Sequence, residues 1–180
     1  MIYALIVLVV LAVGAIAVYN KIIQLRNRCD NAWQTIDTQL QRRNDLIPNL
    51  VETVKGYASH ESATLQAVTD ARAASMAAVS NVDKMAAAEQ LTGAIRQLMV
   101  AVEAYPDLKA NANFQQLQSD LTDTENRISY ARQSFNDCVL NYNNAIQTFP
   151  GSLIANFAGF TARDGFAAGE GAREVPNVQF

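Results

Sequence analysis

IYALIVLVVLAVGAIAVY, Ile2 to Tyr19, runs for eighteen residues without a charged side chain. At about 1.5 Å of helical rise per residue it spans roughly 27 Å, enough to cross the hydrocarbon core of a bilayer. A cleavable signal sequence is the competing reading, since Ala15-Ile16-Ala17 has the small-x-small form that signal peptidase accepts. Two features favour an intact anchor. No Lys or Arg precedes the run, whereas Lys21, Arg26 and Arg28 follow it closely, and an amphipathic pattern begins directly afterwards. The same asymmetry, read as the positive-inside rule, predicts a single-pass protein of the cytoplasmic (inner) membrane, with Met1 outside and everything after Lys21 in the cytoplasm. Two unpaired cysteines suit that reducing compartment.

Beyond the anchor the pattern is helical. Leu25, Cys29, Ala32, Ile36 and Leu40, then Ile47, Leu50, Val54, Tyr57, Leu65 and Val68, recur at spacings of three and four. Pro48 interrupts this first stripe; it cannot donate to the carbonyl of Asn44 and is expected to kink the helix without necessarily ending it. Ser80 and Asp83 have capping-box spacing, which predicts a turn near Asn81. A second stripe, Leu91, Ile95, Leu98 and Val102, should stop at Tyr105-Pro106, because a residue before proline avoids the helical region. Asn113 with Gln116 then offers a cap for a third stripe through Leu117, Leu121, Thr124, Ile128, Ala131, Phe135, Cys138, Tyr142 and Ala145. Three such helices predict an all-α fold, an elongated antiparallel coiled-coil-like bundle whose period near 3.5 implies a left-handed supercoil.

The expected organisation is therefore an anchor at 1–20, a helical bundle at 21–150 and a tail at 151–180. Five of the eight glycines fall between Gly151 and Gly171, with Phe157, Phe160, Phe166 and Phe180, so the tail is expected to be non-helical. Its phenylalanines distinguish it from an ordinary disordered tail and predict docking, either on its own bundle or on a neighbouring subunit.

Composition removes several functions. A formal net charge of -3 gives no general attraction to nucleic acid. Cys29 and Cys138 sit in helical apolar registers and read as buried thiols. His60, the sole histidine, precedes Glu61 in a polar helical patch, and both a zincin helix and a di-iron bundle need two histidines. No nucleophile elbow accompanies it, and Gly14, Gly56 and Gly93 are isolated rather than forming a phosphate loop. No catalytic residue, metal ligand or cofactor site is expected.

The run YNKIIQLRNRCDNAWQTIDTQLQRRNDLIPNLVETVKGYASHE, Tyr19 to Glu61, resembles the signature of the LemA family of bacterial membrane proteins. AYPDLKANANFQQLQSDLTDTENRISYARQSFNDCVLNYNNAIQTFP, Ala104 to Pro150, and the terminal EGAREVPNVQF extend the resemblance over most of the chain. It departs in small ways, with cysteines at 29 and 138 where ordinary apolar residues are expected and Asn44 where histidine is common. The resemblance implies a short outer N-terminus, one transmembrane helix and a cytoplasmic helical bundle. It implies no established enzymatic activity; relatives with suggested roles, one of them associated with magnetosome membrane formation, look like membrane-organising factors.

Mechanism then has to come from polar and aromatic residues beside the stripes. Arg26, Asn31, Trp33, Asp37, Arg42, Arg43, Asp45 and Pro48 flank the first; Glu125, Arg132 and Tyr142 belong to the third; Phe157, Phe160 and Phe180 mark the tail. They read either as a solvated face with surface pairs such as Asp123 with Arg127, or as residues fixing register and contacts between subunits. The first stripe exceeds what the second helix can cover, which predicts a homo-oligomeric membrane scaffold. A monomeric adaptor for another protein, a secreted bundle and a small-molecule sensor are the alternatives, the last lacking any convergent polar cluster in the sequence.

Overall fold

The computed structural model describes residues 1–58 and 60–166. Among them six helices and no strand occur: α1 (Ile2–Lys55), α2 (Ser62–Ala77), α3 (Asn81–Val102), α4 (Pro106–Lys109), α5 (Ala112–Gln147) and α6 (Gly151–Ala158). They form two compact units, one of residues 35–130 and one of residues 1–34 with 131–180. Both α1 and α5 contribute to each.

In the unit of residues 35–130, four helical segments run alternately up and down. Asn44 of α1 meets Arg72 and Ser75 of α2, Asp37 and Arg43 meet Lys84 and Thr92 of α3, and Arg42 and Arg43 meet Asp123 and Glu125 of α5. The core between them holds Ile47, Leu50, Val54, Leu65, Val68, Leu91, Leu98 and Leu121. The α1 stripe is buried as its spacing predicts, except that Ala32 is half-buried and the register changes after Lys55. Tyr57 is exposed and Ala58 takes the inward position, because α1 ends at Lys55 and a turn begins at Gly56. One expected long helix thus becomes two, and His60, expected on a helix, stands exposed in the connection between α1 and α2. Pro48 lies inside α1, which continues through it.

The predicted boundaries follow from local chemistry. Ser80 Oγ accepts from the Asp83 N–H at 3.0 Å and donates to the Asp83 carboxylate at 2.6 Å, closing the start of α3. Pro106 occupies the first turn of α4, where its missing N–H costs nothing. The cap of α5 sits two residues earlier than expected: Asn111 Oδ1, rather than Asn113, accepts from the Phe114 N–H at 3.1 Å.

In the unit of residues 1–34 and 131–180, α1 and α5 are antiparallel. Trp33 meets Phe135 edge to face, while nearer the N-terminus of α1 Ile22 approaches the segment around Ala145. Ile22, Leu25, Cys29, Phe135, Val139, Tyr142 and Ile146 are buried between them. The stretch after Pro150 differs from expectation, because Gly151–Ala158 is helical. Gly159 then adopts a left-handed φ of 72°, which only glycine accepts cheaply, and ends α6. Phe160 to Phe166 follow as a non-helical strap; Phe180 and the terminal EGAREVPNVQF lie outside the described residues.

Replacing Ser80 by Ala removes the α3 cap and should cost about 1 kcal/mol, lowering Tm by about 2–4 °C. Circular dichroism melts of the detergent-solubilised protein would measure it; an unchanged Tm would show that the cap contributes nothing.

Candidate functional site

Two arrays of polar side chains, one in each unit, are assembled from segments far apart in sequence. The first surrounds Arg43, which is 2% exposed on the inner face of α1. One terminal nitrogen donates to Thr92 Oγ1 and to Glu125 Oε2, both at 2.8 Å; the other donates to the Ala88 carbonyl at 3.0 Å. Ala88 is itself buried, and its methyl side chain lets the guanidinium reach the α3 backbone. Thr92 also donates to that carbonyl, at 3.1 Å. Arg43 Nε finds no partner. Burial pushes the guanidinium pKa down and the Glu125 carboxylate pulls it back, yet a group titrating that far above neutrality stays charged. The Glu125 side chain is 49% exposed, so it reaches water while pairing with a buried cation.

A pocket of about 230 Å³ opens beside this pair, walled by Arg43, Thr92 and Glu125 and by the apolar Ile95, Met99 and Leu121. The convergent polar cluster that the sequence does not display is thus created by packing. On the neighbouring side of α1, buried Asn44 donates to Ser75 Oγ at 3.2 Å and its backbone carbonyl accepts from Arg72 at 2.8 Å. A cavity of about 150 Å³ there is lined by Asp37, Gln41, Asn44, Ser75 and Lys84. Neither cavity contains a histidine or cysteine, and among the described residues there is no group of three or more His, Cys, Asp or Glu placed to hold a metal. The chemistry on offer is hydrogen bonding and charge pairing.

The second array holds the strap. Asn143 donates to the Arg163 carbonyl at 2.8 Å and accepts from the Arg163 N–H at 3.0 Å; Asn136 does the same to Phe166, at 3.0 and 2.8 Å. Each side-chain amide thereby completes both backbone groups of one strap residue. The spacings fit: seven residues of α5 rise about 10.5 Å and three residues of extended chain cover about 10 Å. Tyr142 donates to the Thr161 carbonyl at 3.0 Å, and Arg163 donates to Asp30 at 2.6 Å across to α1. Phe166 lies against Trp33 and Phe135, with centroids 5.4 and 5.0 Å away. Arg132 covers its ring at 5.9 Å. At the other end Phe160 stacks on Tyr19 and lies under Arg26. For residues 160–166, docking is therefore on the chain's own helices.

The residues singled out in sequence divide among these arrays. Arg43 and Glu125 form the buried pair, with Arg42 near Asp123 at 3.9 Å and Asp37 bound to Lys84 at 2.6 Å on the flanks. Asp45 accepts from Gln41 at 2.9 Å on the surface, and Pro48 and Asn31 are exposed. Arg26, Trp33, Arg132, Tyr142 and Phe160 all contact the strap or its neighbours. Phe157 is 95% exposed among the described residues, and Phe180 is outside them. Thr92, Ala88 and Arg163 were not legible as site residues, because each acquires its role from a partner at least twenty positions away. The heptad spacing of Asn136 and Asn143 on α5 was the one signal available for the strap. Cys29 is buried and its thiol is pushed up chiefly by that burial, while Cys138 is half-buried.

Removing Glu125 strands a buried cation, so Glu125→Leu should destabilise by about 3 kcal/mol; Arg43→Met with Glu125→Leu should recover about half of that loss. Urea unfolding of the two variants and the wild type would test the order, and equal losses would mean that the pair is not coupled. Asn143→Leu removes both contacts to the Arg163 backbone and should speed tryptic cleavage after Arg163 about tenfold. An unaltered cleavage rate would show that the strap is held by other contacts.

Comparison with known proteins places these arrays in context. The chain is 24% identical to Magnetosome protein MamQ of Magnetospirillum gryphiswaldense over 168 residues, covering 79% of this chain and 62% of that protein. It is 27% identical to Protein LemA of Metamycoplasma hominis over 139 residues, covering 76% of this chain and 63% of the relative. Magnetosome protein MamQ 2 of Paramagnetospirillum magneticum is 24% identical over 196 residues, covering 92% of this chain and 72% of that protein. The chain thus spans under two thirds of the first two relatives' lengths. The LemA family profile matches residues 32–180, which takes in the Arg43 array and the strap but leaves out Tyr19, Arg26 and Asp30, and the chain belongs to the LemA family.

Proposed function

We propose that this protein is a non-enzymatic helical scaffold, anchored in the cytoplasmic (inner) membrane with its bundle in the cytoplasm, that self-associates and organises or shapes the membrane. The observation that supports this reading is the continuity of α1, a single helix from Ile2 to Lys55 that is apolar and unburied at its start and a core element later. A helix that leaves a bilayer and enters a bundle without a linker passes load between them, which a flexible tether would not. Relatives named as magnetosome proteins agree with a role at membranes.

Self-association needs a surface other than the one expected from sequence. The α1 stripe from Ile22 to Val54 is consumed inside the chain, so a neighbouring copy would use exposed apolar side chains such as Tyr130 and Val100 of one unit or Leu140 of the other. The same burial favours a second reading, a monomeric membrane-tethered adaptor that presents its bundle to another protein.

Size-exclusion light scattering of the full-length protein in mild detergent, followed by electron microscopy, separates the two. A defined oligomer that Tyr130→Asp weakens is the expected result. A monomer with an intact N-terminus would overturn self-association and leave the adaptor.

A further inference from the structure

The short helix α6 carries an apolar face that none of the described residues covers. On α6, Leu153 and Phe157 are 62% and 95% exposed, and Phe149 in the turn before it is 80% exposed, whereas Gly151 and Ala155 on the opposite side of the helix are buried. Isolated exposed apolar residues are ordinary, but two in line on one helix with a third in the turn just before it form a surface made to leave water.

The position of this helix identifies what the surface meets. A Cβ on Gly151 would fall 1.9 Å from the Ala145 carbonyl oxygen and 3.9 Å from Ile22, so the start of α6 lies hard against the last turn of α5, level with Ile22 of α1. Beyond the other end, Phe160 contacts Tyr19 and Arg26, with ring centroids 5.6 Å apart and the guanidinium 5.9 Å from the ring centre. Residues 19 and 26 straddle residue 22 along α1, so both ends of α6 are tied at one height and the helix lies across α1 rather than along it. That height is about 4.5 Å beyond Tyr19, the last residue of the apolar run, at the rise of an α-helix. Since α5 runs antiparallel to α1, an element that caps the end of α5 stands between α5 and the membrane. Its buried face, with Gly151 and Ala155, turns toward α5, and Leu153 and Phe157 turn away from it.

Charge agrees with this placement. From Val139 to Ala162 there is no ionisable Asp, Glu, Lys or Arg, so no charge would be drawn into the boundary region with α6. The nearest charges on α1 are Lys21, Arg26 and Arg28, all basic and placed for lipid phosphates.

We infer that α6 is an interfacial foot, whose Phe149, Leu153 and Phe157 sit in the headgroup–acyl boundary of the same bilayer that Ile2–Tyr19 enters. Helices of this kind lie in the membrane plane with the apolar face about 5–10 Å deep. Together with the anchor, the foot gives the membrane-proximal unit two points of attachment and so fixes its orientation on the bilayer. Gly151 is the residue that permits this, since any side chain there would lift α6 off the end of α5.

The inference rests on Ile2–Tyr19 being a membrane anchor, and the test separates the two. Full-length protein carrying Phe157→Trp, and separately Leu153→Trp, is reconstituted in phosphatidylcholine vesicles containing lipid brominated near the headgroup, and the same vesicles are extracted with alkaline carbonate. Trp33, the only native tryptophan, provides the background signal. The expected result is carbonate resistance, blue-shifted emission from the added tryptophan, and quenching about twofold stronger than that of Trp33. Carbonate resistance with water-like, unquenched emission at both positions would overturn the foot while leaving the anchor. Release of the protein by carbonate would overturn both.

Discussion

The apolar stripe of α1 is the constraint on which everything else rests. From Ile22 to Val54 its inward residues are buried, apart from the half-buried Ala32, and a stripe of that length needs partners along its whole course. In each unit α5 supplies one, running antiparallel; in the unit of residues 35–130, α2 and α3 supply the rest. The sharp turn at Gly56–Tyr57 is what makes α2 available, because it folds Leu65 and Val68 back onto Leu50 and Val54 instead of letting the helix run on. A stripe that would otherwise demand a second subunit is thereby satisfied within one chain.

Arg43 gives that packing its particular arrangement. A guanidinium buried among helices is a weak source of stability, since desolvation opposes the attraction of its carboxylate. Its donors nevertheless point to fixed places, Thr92 and Ala88 on α3 and Glu125 on α5, so sliding either helix by one turn would leave a buried charge without partners. The apolar contacts of Leu91, Leu98 and Leu121 tolerate such slippage far better, because dispersion has no direction. Polar residues here select the register, and the leucines supply the free energy.

The unit of residues 1–34 and 131–180 uses a different device. Its two helices cannot enclose a core alone, and the strap from Phe160 to Phe166 closes the open side with Phe166 laid on Trp33 and Phe135. Non-helical backbone on a helix surface carries unmatched amide groups. Asn136 and Asn143 complete them at two of the strap residues, as a β-strand partner would. The aromatic contacts hold the strap down, while the asparagines fix its position along α5.

Helix content, the apolar N-terminal run, the cap at Ser80 and the stop before Pro106 were all legible in the sequence, because each depends on residues within four positions of one another. The inward face of α1 and α5 was legible too, since burial follows the periodicity of the helix. Hidden were the break at Gly56, where one glycine between helical patterns gives a faint signal, and the helix at Gly151–Ala158, where glycine and phenylalanine content suggested irregular chain. The sites lay further out of reach. Arg43 with Glu125, Asp30 with Arg163 and Asn136 with Phe166 join positions 82, 133 and 30 residues apart. Sequence alone determined which residues turn inward, because helical geometry is local; only the tertiary structure decided which of them meet, because a directional hydrogen bond forms only after nondirectional apolar packing has set the helices side by side.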